Sequence, residues 1–144
     1  FGPRETYKEK TSSMILQLGH QILKNNPPKL FKNSENILRD FIYIEDVIQA
    51  NILACETQKS GVYNVGTALP RSFKDVADVL LKEFNSSLSI EYIKNPYSDY
   101  QNHTQADISL TQKDLGFEPK VTLEKGIKLY SKEIIRTLNI TNND

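Results

Sequence analysis

Arg39-Asp40-Phe41-Ile42-Tyr43-Ile44-Glu45-Asp46-Val47 is the stretch on which the fold turns. Aromatic and β-branched residues alternate along it, which predicts a strand over 39–44. Phe41 and Tyr43 then share one face, and Ile42 and Ile44 the other. Asp46 stands where a short acidic side chain caps a helix, here over about 47–57. A strand that runs straight into a helix is the repeating unit of α/β proteins.

The same alternation of elements continues on both sides. Towards the N-terminus, 10–25 reads as a helix capped by Thr11 or Ser12, with Met14, Ile15, Leu18, Ile22 and Leu23 on its apolar face. Asn26-Pro27-Pro28 stops it; 29–31 is a short strand and 32–36 a polar turn. Towards the C-terminus, Gly61-Val62-Tyr63-Asn64-Val65-Gly66 fits a buried parallel strand and an edge strand equally well. Ser72-Phe73-Lys74-Asp75 has the form of a capping box. It opens a helix with Phe73, Val76, Ala77, Leu80, Leu81 and Phe84 at helical spacing. A strand over 89–93 leads into an aromatic, polar loop over 95–105. A short helix near Thr111 ends at Gly116, and Thr122 caps a last helix to about Leu138, before a polar tail, 141–144, expected to fray. Internal repeats and low-complexity linkers are absent from the sequence.

Composition narrows the function classes. With 144 residues the chain is long enough for one domain with a core. Its 18 basic and 18 acidic residues cancel, which argues against a broad electrostatic footprint for nucleic acid or an anionic membrane. No apolar run approaches a membrane span. Cys55 is the single cysteine, so neither a disulfide framework nor a zinc site is available, and no His/Asp/Glu group has metal-ligand spacing. Within an apolar-periodic segment Cys55 reads as a small core residue, in keeping with a reducing cytoplasm. The opening Phe1-Gly2-Pro3-Arg4-Glu5 is turn chemistry of the kind that follows a strand. With no initiator Met, the expectation is the C-terminal part of a larger protein.

Three motifs in order resemble a known superfamily: Gly2-Pro3-Arg4, then Arg39 to Val47, then Tyr63-Asn64-Val65-Gly66. Together with Leu115-Gly116-Phe117-Glu118-Pro119 and Leu123-Glu124-Lys125-Gly126-Ile127 they look like the C-terminal half of extended short-chain dehydrogenases acting on nucleotide sugars. Within it, four segments resemble the ADP-L-glycero-D-manno-heptose 6-epimerase family. They are Gly2-Pro3-Arg4-Glu5 with Lys8 and Met14, Lys29-Leu30-Phe31, Ser34-Glu35-Asn36, and Thr104-Gln105-Ala106-Asp107. The resemblance implies an α/β fold: the last Rossmann elements plus a smaller substrate-binding lobe, with 45–66 packed on an upstream nucleotide-cofactor domain. It implies an NADP-dependent epimerase of an ADP-heptose, serving the lipopolysaccharide inner core by transient oxidation at C6. The partner is a nucleotide sugar, the full enzyme a cytoplasmic homo-oligomer, and the fragment alone inactive. Another extended dehydrogenase (a nucleotide-sugar 4-epimerase or a 4,6-dehydratase) is a close alternative, and a non-catalytic sugar-nucleotide-binding remnant a third.

The resemblance also assigns roles. Lys8 aligns with one of two acid/base groups; the other, the Tyr of a Tyr-x-x-x-Lys motif, would lie upstream. By composition alone Lys8 is a solvated lysine in the charged loop 5–10. Arg39 becomes the grip on the ADP diphosphate, where its residue type also allows an ion pair with Asp40 or Glu45. Tyr100 would meet the same nucleotide. Phe31, Lys32, Asn33 and Ser34 match the segment lying along the substrate, although Phe31 also suits a core and Ser34 a turn. Lys10 stands where the family carries a small hydroxyl residue and Gln17 where it carries a histidine, both on the substrate side, which bears on sugar preference. His20 reads as a surface or interface residue, and His103 as a neighbour of the Tyr100 site. Cofactor residues are expected upstream.

Overall fold

A computed structural model describes residues 1–97 and 100–141; of Thr6, Glu9, Lys10, Asn139, Ile140 and Thr141 it describes the backbone only. A 3-10 turn, Thr6–Thr11, precedes α1 (Met14–Leu23) and β1 (Lys29–Phe31). A second 3-10 turn, Ser34–Asn36, leads to β2 (Leu38–Arg39) and α2 (Ile44–Glu56). Then come β3 (Arg71–Ser72), α3 (Phe73–Glu83), β4 (Glu91–Ile93), α4 (Ser109–Leu115) and α5 (Leu123–Thr141).

The core lies where α1, α3 and α5 pack on one another. Ile15, Leu18, Val76, Leu80, Ile127, Tyr130 and Ile134 are fully buried there. Their helical spacing on three amphipathic segments leaves one answer, a three-sided apolar centre. Gly19 lets α1 approach α5 closely: a Cβ on it would meet Ile134 Cγ2 at 2.9 Å. A second, smaller cluster of Ala50, Leu115 and Phe117 sits between α2 and α4, joined by half-buried Ile42, Leu53, Tyr63 and Val65.

Strands are few and short. β1 pairs with β4 in parallel, Leu30 opposite Tyr92, and β2 pairs with β3 antiparallel, Arg39 opposite Arg71. The predicted strand over 39–44 is corrected to a ladder of two residues, beyond which the described main-chain pairing of this stretch is with Phe1. Its alternation is nonetheless real: Phe41 and Tyr43 join the helical core while Ile42 joins the second cluster. Phe1 N–H donates to Ile42 O at 2.8 Å and Ile44 N–H to Phe1 O at 2.9 Å. That is the exchange of a parallel pair, with Tyr43 opposite Phe1.

Asp46 is not a helix cap. Tyr43 holds the N-cap of α2 with no side-chain bond, and the helix begins three residues before the expected start. The Asp46 carboxylate is buried and accepts from the Lys120 and Val121 N–H groups at 3.1 and 3.0 Å. Likewise α1 is shorter than 10–25: Ser13, not Thr11 or Ser12, caps it, its hydroxyl accepting from Leu16 N–H at 3.3 Å. Residues 61–66 form no ladder with any described residue; Tyr63 and Val65 pack on the second cluster instead. Cys55 is exposed on α2, not a core residue. The Ser72–Asp75 capping box is complete, with both reciprocal bonds at 3.0 Å. Gly116 ends α4 in the left-handed region (φ 65), and Thr122 accepts from Lys125 N–H at the start of α5. Residues 142–144 lie outside the described residues.

Candidate functional site

Four elements converge on Arg39. β2 carries it, the first residue of α3 supplies Phe73, β1 ends in Phe31, and the loop after β4 brings Tyr97 and Tyr100. The guanidinium carbon of Arg39 lies 5.6 Å from the Phe73 ring centre and 5.4 Å from that of Tyr100. Its Nη1 donates to Leu38 O at 2.8 Å, and its Nη2 donates to Gln101 O. The planar cation thus lies against two rings, with two of its N–H groups engaged by main-chain carbonyls. Phe31 meets Tyr100 edge-on at 5.5 Å and Tyr97 at 6.2 Å, and Tyr97 stacks on Tyr100 at 6.0 Å and 24°. Cation and aromatic wall together suit a ligand with an anionic group beside a flat ring.

The alternative pairing of Arg39 does not occur among the described residues. Asp40, its neighbour, accepts instead from the N–H groups of Thr67 (2.8 Å), Ala68 (3.0 Å) and Ala106 (3.2 Å) and from the Thr67 hydroxyl. Glu45 is exposed at the start of α2. Asp40 thereby ties the 66–68 and 104–106 loops to the strand that carries Arg39.

The other candidate residues scatter around this centre. Lys32 N–H continues the β1–β4 pairing to Ile93 O at 2.9 Å, and Asn33 turns the chain with φ 65. Both are exposed and line a shallow groove of about 510 Å³ with Glu35, Lys74 and Tyr92. Ser34 is fully buried, and its hydroxyl has no partner among the described residues. Gln17, half-buried on α1, donates its amide to Ser12 O at 2.7 Å. Lys10 sits in the first 3-10 turn, and its side chain lies outside the described residues. Phe31, Arg39 and Tyr100 are therefore brought together, whereas Lys8 lines another groove.

That second groove, about 610 Å³, is bounded by Phe1, Pro3, Tyr7, Lys8, Tyr43 and Ile48. Lys8 is exposed there. Burial, helped by the Glu45 charge, holds the Tyr43 phenol above its ordinary pKa. Beneath the turn lies Glu5, 6% exposed, whose carboxylate accepts two backbone N–H groups. His103 is exposed, in a backbone bridge to Leu38, and His20 is half-buried with Nε2 3.0 Å from the Thr137 hydroxyl. No group of three potential ligands among the described residues could hold a metal ion.

Sequence reasoning missed Phe73, Tyr97, Asp40 and Glu5. Phe73 was assigned only to a helix face, yet the first residue of a helix also looks out over its end. Tyr97 had a signal in its spacing from Tyr100 within an aromatic loop. Asp40 and Glu5 had none, because their partners are main-chain groups.

The fold has counterparts among known proteins. Residues 1–66 match the NAD dependent epimerase/dehydratase family. The ADP-L-glycero-D-manno-heptose-6-epimerase of Helicobacter pylori is 47% identical, with a TM-score of 0.85 over 94% of this chain and 41% of that one. The UDP-glucose 4-epimerase of Thermotoga maritima, solved with UDP-glucose, is 26% identical, with a TM-score of 0.86 over 96% and 44%. The UDP-glucuronic acid 4-epimerase of Bacillus cereus, solved with NAD and a fluorinated UDP-sugar, is 28% identical, with a TM-score of 0.81 over 94% and 42%. The chain spans less than half the length of each, and its fold is the matching part of an extended short-chain dehydrogenase.

Proposed function

Over residues 1–66 this chain belongs to the NAD dependent epimerase/dehydratase family, and on that premise we propose that it is the substrate-binding part of an ADP-heptose 6-epimerase. The reaction is the NADP-dependent conversion of ADP-D-glycero-D-manno-heptose to ADP-L-glycero-D-manno-heptose, for the inner core of lipopolysaccharide, in the cytoplasm. One observation carries the reading of the site: a guanidinium held between two aromatic rings, with donors to spare and no carboxylate partner among the described residues. Such a group takes a diphosphate bidentately, and the wall of Phe31, Tyr97 and Tyr100 takes the flat base beside it. The choice of heptose is supported by the 47% identity to the Helicobacter pylori enzyme.

Inversion at one carbon needs acid/base groups on both faces of that carbon, and Lys8 is the candidate for one of them. When bound, the nicotinamide supplies a hydride acceptor and then a hydride donor. None of the described helix N-termini carries the glycine-rich turn that cradles a dinucleotide's phosphates, so the chain's own part is to bind and orient the sugar nucleotide. The exposed Ile44, Ile48 and Ile52 of α2 support the packing of 45–66 against a cofactor domain in a full-length, homo-oligomeric enzyme, with the chain alone inactive.

A second reading, a nucleotide-sugar 4-epimerase or 4,6-dehydratase, is favoured by the departures at Lys10 and Gln17 and by the fold shared with the Thermotoga maritima enzyme. In that reading Lys8 has no catalytic part. The test is Lys8→Ala in the full-length enzyme, with turnover of ADP-D-glycero-D-manno-heptose followed by proton NMR. We expect kcat to fall by about 10²–10⁴-fold. A near-normal rate sinks the heptose assignment.

A further inference from the structure

The turn that carries Lys8 is tied at both ends to one buried carboxylate. Glu5 Oε1 accepts from Gly2 N–H at 3.1 Å, and Oε2 accepts from Ser13 N–H at 3.0 Å. One donor precedes the 3-10 turn Thr6–Thr11 and the other follows it, at the cap of α1. Inside the turn the described bonds are local: Lys8 N–H to Glu5 O at 2.9 Å and the Thr11 hydroxyl to Lys8 O at 2.7 Å. Lys8 itself is exposed, so its own packing does not fix it. The chain enters the turn through Arg4 in the left-handed region (φ 72), a conformation that a non-glycine residue keeps only when its surroundings impose it.

A buried carboxylate is costly unless its oxygens are hydrogen-bonded, and an apolar residue of similar size would fill the space with less penalty. Glu5 Oε1 also lies 4.0 Å from the Phe1 ammonium, and no side-chain cation pairs with Glu5 among the described residues, so its described partners are all main-chain nitrogens. Two such bonds to the two ends of a short loop close it into a ring that carries the exposed Lys8.

We propose that Glu5 is a positioning residue for Lys8, holding the turn so that the ammonium stands at a fixed place over the reacting carbon of the sugar. This rests on the assignment of Lys8 as one of two acid/base groups. A base misplaced by about an ångström loses roughly a hundredfold in rate while substrate binding is untouched.

The experiment uses the full-length NADP-loaded enzyme and compares Glu5→Gln with Lys8→Ala. Each is mixed with the D-glycero and, separately, the L-glycero epimer of ADP-heptose, and the near-ultraviolet absorbance of reduced nicotinamide is followed in a single turnover. Glu5→Gln is expected to lower kcat by about 10–100-fold with KM within about twofold. It should slow the same epimer that Lys8→Ala slows and spare the other. Hydrogen exchange should rise at the Gly2 and Ser13 amides with the rest of the chain protected. If Glu5→Gln does not fold, Glu5→Asp, which keeps the charge but is one methylene short of spanning both donors, is expected to give the same one-sided loss. Equal slowing of both epimers, or no slowing where Lys8→Ala removes one, overturns the proposal. Normal rates for both epimers in Lys8→Ala overturn the lysine assignment, and this inference with it.

Discussion

The α1/α3/α5 core and the α2 region are built from similar amounts of apolar sequence and end in opposite states. On the core helices Ile15, Leu18, Val76, Leu80, Ile127 and Ile134 are fully buried. On α2 only Ala50 and Asp46 are buried, while Ile44, Ile48 and Ile52 stand 36–51% exposed. The first region satisfies itself. The second faces outward with isoleucine, a residue that buries itself whenever a partner surface exists. Apolar content alone therefore does not locate a core; what matters is whether each stripe meets another.

Substitution can break that contrast. Leu80→Ala should cost about 2–5 kcal/mol in chemical denaturation of the 144-residue chain, because it opens a cavity in packed surroundings. Ile48→Ala should stay within about 0.5 kcal/mol in the same experiment and make the chain less prone to self-associate on size exclusion. A loss at Ile48 as large as at Leu80 would show that α2 already has a partner.

The two regions are joined by Asp46, which belongs to α2 and grips residues 120 and 121 just before α5. Asp46→Ala leaves two N–H groups unpaired, one of them buried, and should destabilise by about 1–3 kcal/mol. Hydrogen exchange should then rise at Lys120 and Val121 and in α2, with α1 and α3 unchanged.

The smallest effect sharpens the edge of the core. Burial lowers the His20 pKa below its ordinary 6.5, at its contact with Thr137 on α5. As pH falls, the unfolded chain takes up this proton first, so the folded state loses stability. The contribution is fully present above pH 6.5 and drains away as pH falls from there through the lower folded value. Thermal midpoints should decline over that window in the parent and stay flatter in His20→Gln. Identical curves would remove His20 from the account.

What could be read in advance was what depends on near neighbours. The Ser72–Asp75 capping box, the Gly116 stop and the Thr122 cap each concern a few consecutive residues, and all three stand as expected. Asp46 looked like another such cap and is not one, since its partners lie 74 and 75 positions away. The strand over 61–66 failed for a related reason: β-forming residues need a ladder partner, and side-chain type says nothing of its presence. Cys55 was misjudged because apolar periodicity on α2 marks an outward face as well as a core. At the site, the resemblance supplied Phe31, Arg39 and Tyr100, which the fold brings into contact. Phe73 and Tyr97 complete the wall only through tertiary approach.

The seat of Arg39 also sets an order of events in time. Its carbonyl partner Gln101 is 62 positions away, and Asp40 reaches Ala106 across 66. Helices α1, α3 and α5 form from near neighbours, whereas these loops close only after long stretches of chain have been brought together, which is slow. The joining of those helices asks for a longer reach still, His20 on α1 meeting Thr137 on α5 across 117 positions, so on a growing polypeptide the seat of Arg39 can close before α5 completes the core.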